Sequence, residues 1–223
     1  MFKTDFQGGP AFEIFSSQGS GTPILNWKLT SKSFIKRVYE KDLKGFCYHC
    51  EKLGKFSLPK DDKQSVYLIQ PYLVFQIFLP AREHLSIELC ISDLNHNHRR
   101  FFASTASKDV KITALHVTLP LTVVKRGVWL NLCFDLSSLV SDTFRGQSFR
   151  CLTNVHLAGT FRLRKIFTLR NRPPDTTGDD LGETAYGYVE SLPRTLQFPQ
   201  GLEYLTQVIN VARIGGVQED SNQ

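Results

Sequence analysis

Apolar and polar side chains alternate with a period of two through most of this chain, and that pattern constrains its fold more than any other feature. Leu85, Ile87, Leu89 and Ile91 alternate with Ser86, Glu88, Cys90 and Ser92. Val128, Leu130, Leu132 and Phe134 alternate with Trp129, Asn131, Cys133 and Asp135. Successive side chains of a strand point to opposite faces, so each run offers one face to a core. Further strands are expected at 11–16, 35–39, 46–50, 73–79, 99–104, 115–119, 155–157 and 161–169, about ten in all. Turn residues separate them at 8–10, 19–21, 59–63, 93–97 and 125–127. Short strands at this spacing predict an all-β chain, an antiparallel sandwich of the jelly-roll kind with at most one or two short helices. One such helix is expected at 135–140, where Asp135 caps a turn carrying Leu136 and Leu139.

The 223 residues, 41% of them hydrophobic and 17 of them Phe, are enough for one well-packed domain. Residues 1–172 are expected to form it. The composition changes after Arg172, where Pro173-Pro174-Asp175-Thr176-Thr177-Gly178-Asp179-Asp180 reads as a linker. In the segment 173–223 the spacing of Leu202, Leu205, Ile209 and Ala212 suggests a helix near 202–214, with disorder as the alternative. Charge divides at the same point. Residues 1–172 hold 25 of the 27 Lys+Arg and 13 of the 21 Asp+Glu, leaving 2 and 8 for the rest. The domain is strongly basic and its tail acidic, so the tail is a candidate to fold back over the basic face. A field of that sign favours acidic partners without choosing among them.

Chemical signatures are sparse. The five cysteines are odd in number and no signal sequence precedes them, so reduced thiols in cytosol or nucleus are expected. No apolar run is long enough to span a membrane. Cys47-Tyr48-His49-Cys50 has half-zinc-site spacing, but in a strand residues three apart face opposite ways, so no metal or other cofactor is expected. His96-Asn97-His98 reads as a solvated turn with Asp93 as an ordinary turn residue. No Gly-x-Ser-x-Gly elbow occurs, and Gly19-Ser20-Gly21-Thr22 lacks the lysine of a phosphate loop. Asp61-Asp62 and Asp179-Asp180 lie in polar stretches, where two carboxyl pKa values are not driven apart. No enzyme activity is expected. The remaining feature is basic: Lys36-Arg37, Arg99-Arg100, Lys125-Arg126 and Arg162-Leu163-Arg164-Lys165. In a strand, Arg162 and Arg164 share one face and Phe161 and Leu163 the other, which predicts an outward basic stripe; the plain alternative is solvated positions that keep the chain soluble. Exposed aromatics that would stack bases are not evident among them.

The ordered motifs resemble those of the cilia- and flagella-associated protein 20 domain family. Met1-Phe2-Lys3, Phe6-Gln7-x-Gly9, Pro23-Ile24-Leu25 with Trp27, and Phe34-Ile35-Lys36-Arg37-Val38 match the family's opening. Tyr72 to Ile77, Leu85 to Asp93, Arg99-Arg100-Phe101-Phe102-Ala103-Ser104, Gly127-x-Trp129-x-Asn131 and Arg162-x-Arg164-Lys165-Ile166-Phe167 continue it to about residue 170. The stretch 135–146 and the part after Phe167 depart from the pattern, as in the N-terminal module of a divergent, longer member. The resemblance implies a jelly-roll-like sandwich serving as a structural component of ciliary, axonemal or centriolar microtubules, with tubulin or other axonemal proteins as partners and a cilium, basal body or cytoskeletal location. Lys36, Arg37, Arg99, Arg100, Arg162, Arg164 and Lys165 are the candidate contacts. Two alternatives stay open: a nuclear, nucleic-acid-associated adaptor using the same basic face, and a glycan-binding module for which Trp27 and Trp129 are platform or core residues.

Overall fold

The computed structural model describes residues 2–19, 24–177 and 192–215. Its strands are β1 (Ala11–Ser16), β2 (Lys28–Thr30), β3 (Ile35–Glu40), β4 (Gly45–Cys50), β5 (Lys55–Leu58), β6 (Tyr72–Phe78), β7 (Leu85–Asp93), β8 (His98–Ser104), β9 (Lys111–Ile112), β10 (His116–Pro120), β11 (Trp129–Asp135), β12 (Phe149–Gly159), β13 (Phe161–Leu169) and β14 (Tyr204–Ile209). Its helices are α1 (Leu136–Thr143) and α2 (Val211–Gly215). One seven-stranded sheet has the order β14-β11-β6-β13-β4-β3, with β1 also on β13; the other runs β2-β5-β12-β7-β8-β10-β9. We call them the first and second sheets. The expected sandwich is therefore present.

Three details differ from expectation. β10 pairs parallel to β8 and β14 parallel to β11, so both sheets are mixed rather than antiparallel. Strands β2, β5 and β9 are two to four residues long, too short for alternation to announce them. The helix expected at 202–214 is instead strand β14 followed by the single turn α2. Thr206, Gln207, Val208 and Ile209 are all buried in β14, so both of its faces are covered and period-two alternation disappears. The fold does not close at Arg172 either. Thr176 donates its N–H to the Thr206 carbonyl at 2.8 Å, and β14 forms an edge of the first sheet. Asp179-Asp180 and Ser20 to Pro23 lie outside the described residues.

Between the sheets sits one aromatic-rich core. Phe15, Phe56, Phe75, Phe101, Phe134 and Phe161 are essentially fully buried, each contributing about 1.5–3 kcal/mol by leaving water. Phe15, Trp27, Tyr48 and Phe56 meet edge to face with centroids 5.6–6.2 Å apart. Trp27 and Trp129 are thus packing residues, 3% and 5% exposed, and neither is a glycan platform. Asp135 caps α1 as expected, accepting from the Ser138 N–H at 3.0 Å and the Ser138 hydroxyl at 2.9 Å. The chain crosses from the second sheet to the first at Gly159. Its φ is +118°, and a Cβ there would lie 2.1 Å from the His84 carbonyl oxygen, so no other residue fits without moving the backbone.

Candidate partner-binding surface

The basic run of β13 is not an outward stripe. A bulge between Leu163 and Lys165 shifts the register, so that Phe161, Leu163 and Ile166 enter the main core while Phe167 and Leu169 turn to the opposite face. That opposite face is covered. Leu192, Leu196 and Phe198 from the C-terminal segment lie over Val74, Cys133, Phe167, Leu169 and Trp129. Arg164 is 9% exposed and Lys165 6%. The Arg164 guanidinium donates to the Gln76 side-chain oxygen and stacks over Phe198 at 5.4 Å. The chain of partners continues across the sheet: the Gln76 amide donates to Asn131 Oδ1 at 3.1 Å and to the Leu196 carbonyl at 2.7 Å, and the Asn131 amide donates to Thr206 Oγ1 at 3.1 Å. Hydrogen bonds thereby link a buried row of four side chains from β14, β11, β6 and β13, in which Arg164 Nε alone has no hydrogen-bond partner among the described residues. Lys165 is ion-paired with Glu13. Both cations hold the fold together and are not free to meet a partner.

Arg162 is half-buried, lying over the Phe78 ring at 5.0 Å and donating to Glu40 at 3.2 Å. Arg99 is also structural. Its guanidinium bonds Asp93 at 2.9 Å and stacks over Phe144 at 4.4 Å. Asp93 is fully buried and is no ordinary turn residue: it also accepts from the Asn97 N–H at 2.8 Å. Burial alone would raise its pKa, but the bonds from Asn97 and Arg99 outweigh that and hold the carboxyl below its ordinary value. Arg100 is exposed and paired with Glu88 at 2.5 Å. Lys36 and Arg37 are exposed on β3.

Exposed charge instead gathers on one flank of the sandwich. β3 and β4 end the first sheet, β2 and β5 end the second, and Tyr48 of β4 packs on Phe56 of β5 at 6.0 Å, so the two edges lie side by side. Residues 28–60 carry nine cations, Lys28, Lys32, Lys36, Arg37, Lys41, Lys44, Lys52, Lys55 and Lys60, and every one is exposed. Only three acidic residues lie in that stretch, with Glu40 already committed to Arg162, while Lys28 pairs with Asp62 just beyond it at 2.9 Å. Two aromatic rings also face solvent here: Tyr39, 56% exposed, meets Phe46, 37% exposed, edge on at 5.5 Å. Arg37 stacks over Phe46 at 4.1 Å and donates to the carbonyls of Ser17 and Gly19. Exposed aromatics beside basic residues, not evident in the sequence, are present once β3 and β4 pair.

Comparison with known proteins places this geometry in a family. The CFA20 domain model matches residues 1–177. The chain belongs to the CFA20 domain family. That membership ties the domain to cilia- and flagella-associated function. Among solved structures, one reported as an exo-β-agarase is 11% identical with a TM-score of 0.32, and the match covers 73% of this chain and 25% of that one. Another, PfGH50B, is 8% identical with a TM-score of 0.26, covering 67% and 23%. This CFA20 domain spans about a quarter of either, and a likeness so distant carries no inference about activity.

The cysteine motif of the CFA20 domain resolves into two environments. Cys47 and Cys50 do lie on opposite faces of β4, Cys50 in the main core and Cys47 among Leu43, Trp129 and Phe198. Pairing of β3 with β4 instead gathers Glu40, Cys47 and His49, whose potential ligand atoms all fall within 4.8 Å. Glu40 Oε2 lies 3.4 Å from His49 Nε2 and 3.9 Å from Cys47 Sγ. Among the described residues these three could hold a metal, but the Arg162 guanidinium already sits on the same carboxylate oxygen. Burial, aided by Glu40, pushes the Cys47 thiol up to about 12. A depression of about 520 Å³ beside this group is lined by Glu40, Lys41, Lys44, Phe78, Trp129 and Arg162. No helix among the described residues is long and apolar enough to cross a membrane.

Proposed function

We propose that this CFA20 domain is a non-enzymatic structural module that docks on ciliary, axonemal or centriolar microtubules through its β2–β5 flank. The observation that carries the reading is the flank itself, where residues 28–60 hold nine exposed cations against three acidic residues and, among the described residues, only Lys28 of the nine is ion-paired outside that stretch, with Asp62. Such a surface steers association with an acidic filament and adds favourable contacts that salt screens over about 8 Å at physiological ionic strength. The thiols favour a structural role. Burial, the largest cause in each, raises Cys47 and Cys50 to about 12 and Cys90 to about 11, so thiolate nucleophiles are scarce at neutral pH. The test is co-sedimentation of the full chain with microtubules across a salt series, beside a variant carrying Lys32→Glu, Lys36→Glu, Lys41→Glu and Lys44→Glu. Binding should weaken with salt and fall at least about tenfold in the variant. Equal binding by both proteins would remove the flank from the function.

A second reading has one observation behind it. Tyr39 and Phe46 lie exposed amid basic residues, an arrangement that single-stranded nucleic acid uses for stacking. Binding of oligo-dT that exceeds binding to microtubules at equal salt would favour it.

A further inference from the structure

The flank contains an open strand edge. Among the described residues β3 pairs only with β4 and ends the first sheet. The Glu51 N–H donates to the Phe34 carbonyl at 2.9 Å, just before the Ile35–Cys50 pair. Antiparallel ladders alternate hydrogen-bonded and non-hydrogen-bonded pairs, so Lys36, Val38 and Glu40 direct their backbone groups to β4. Arg37 and Tyr39 therefore direct theirs outward. Phe46, opposite Tyr39, fits this phase, since its own N–H and carbonyl face away from β3 and bond Gln18 and Ser17. Backbone donors and acceptors at an exposed edge form a template for a further strand.

We infer that the β3 edge accepts an extended acidic polypeptide segment of a partner protein as an added strand, with acidic and apolar side chains in alternation. This deepens the filament-docking reading and rests on it for the source of the segment. Side chains of an added strand alternate between the two faces of the sheet. On the outer face they meet Lys36, where a carboxylate is complementary. On the other face they meet Tyr39 and the Phe46 ring, where an apolar group gains burial. A second copy of this chain is a poorer occupant: antiparallel pairing of β3 about Val38 would set Lys36 opposite Glu40, but Glu40 is already held by Arg162, and two copies would bring their exposed lysines together. Nucleic acid fits less well, because Arg37 already covers a face of Phe46 and bases do not offer the repeat of N–H and carbonyl that the edge presents.

The experiment uses the full chain and a fluorescein-labelled peptide of alternating glutamate and valine, with a lysine–valine peptide, a glutamate–valine peptide carrying proline at alternate positions, and oligo-dT as comparisons. Tyr39→Pro removes an outward N–H without touching the β4 ladder, whereas Tyr39→Ala removes only the ring. The glutamate–valine peptide should bind, and the lysine and proline peptides should not. Affinity should fall at least about tenfold in Tyr39→Pro and severalfold in Lys36→Glu. Amide exchange at Arg37 and Tyr39 should slow when the peptide is added to the unaltered chain, a readout that stands even where Tyr39→Pro lowers the thermal midpoint. Binding of the proline peptide as tight as the parent, or unchanged exchange at both amides, overturns strand addition. Oligo-dT binding that outcompetes the peptide overturns the choice of occupant. In microtubule co-sedimentation, loss in the four-lysine variant with full retention in Tyr39→Pro would leave filament docking standing and remove the added strand. Peptide capture without microtubule binding would do the reverse.

Discussion

Strands β13 and β3 both carry adjacent cations in the sequence, Arg162 to Lys165 on one and Lys36-Arg37 on the other, yet they end in opposite circumstances. On β13 the bulge turns Arg164 and Lys165 together toward a face that Leu196 and Phe198 then cover, and each finds a fixed partner in Gln76 or Glu13. On β3 the strand is an edge, the outer face is open, and the cations join those of β2, β4 and β5 in a shared field. The same residue types thus hold the fold together in one place and stay exposed in the other. Coverage and topology decide which, because a cation removed from water must be paired, whereas one at an edge keeps its hydration.

Removing the cover is the harshest way to break this contrast. A chain ending at Arg172 lacks β14 and the segment over the first sheet, uncovering Val74, Cys133, Phe167 and Leu169. The lost burial is comparable to the roughly 5–15 kcal/mol that holds a domain folded. Such a chain should melt without a cooperative transition and bind a hydrophobic dye; a transition like that of the full chain would show the cover to be ornamental. Next in size is Arg164→Ala, which strands Gln76 in the buried row and should cost about 3 kcal/mol by urea denaturation. Lys36→Ala should change stability by no more than about 0.5 kcal/mol. Similar losses at the two sites would end the distinction between them.

Acid titration should produce the smallest effect. Asp93 and Asp175 are both held below their ordinary value of 3.8, because hydrogen bonds and the guanidinium of Arg99 or Arg213 outweigh the burial that would raise them. A carboxyl with a lowered folded pKa contributes stability that is complete above its unfolded value and lost as pH falls through the folded one. Urea midpoints should therefore hold steady above about pH 5 and drop below pH 4. Asp93→Asn should flatten that drop while lowering the midpoint at neutral pH. A profile with the same acid slope in the variant would show that Asp93 gains nothing from its ionised form.

Much of the scaffold was legible in the sequence. Long runs such as Leu85 to Ile91 announce themselves because one face is core and the other is not, and Asp135 marks its helix because a carboxylate can cap the N–H groups that the first turn leaves open. The covered strand β14 was hidden by the same logic, since burial on both faces erases alternation. The site was legible only in part. Lys36 and Arg37 were placed on a strand, as the structure has them, but nothing local distinguishes them from Arg164 and Lys165.

Local pattern by itself determined which segments extend, where they turn, that the chain is all-β, and, through ordered motifs, its CFA20 family. Only the tertiary structure decided the rest: that 192–215 completes the first sheet, that Glu40, Cys47 and His49 converge, and that nine lysines and arginines share one flank. The physical reason is range. Pleat, turn chemistry and capping act within a few residues, whereas burial and the electrostatic field depend on which distant segments the fold brings to the same face.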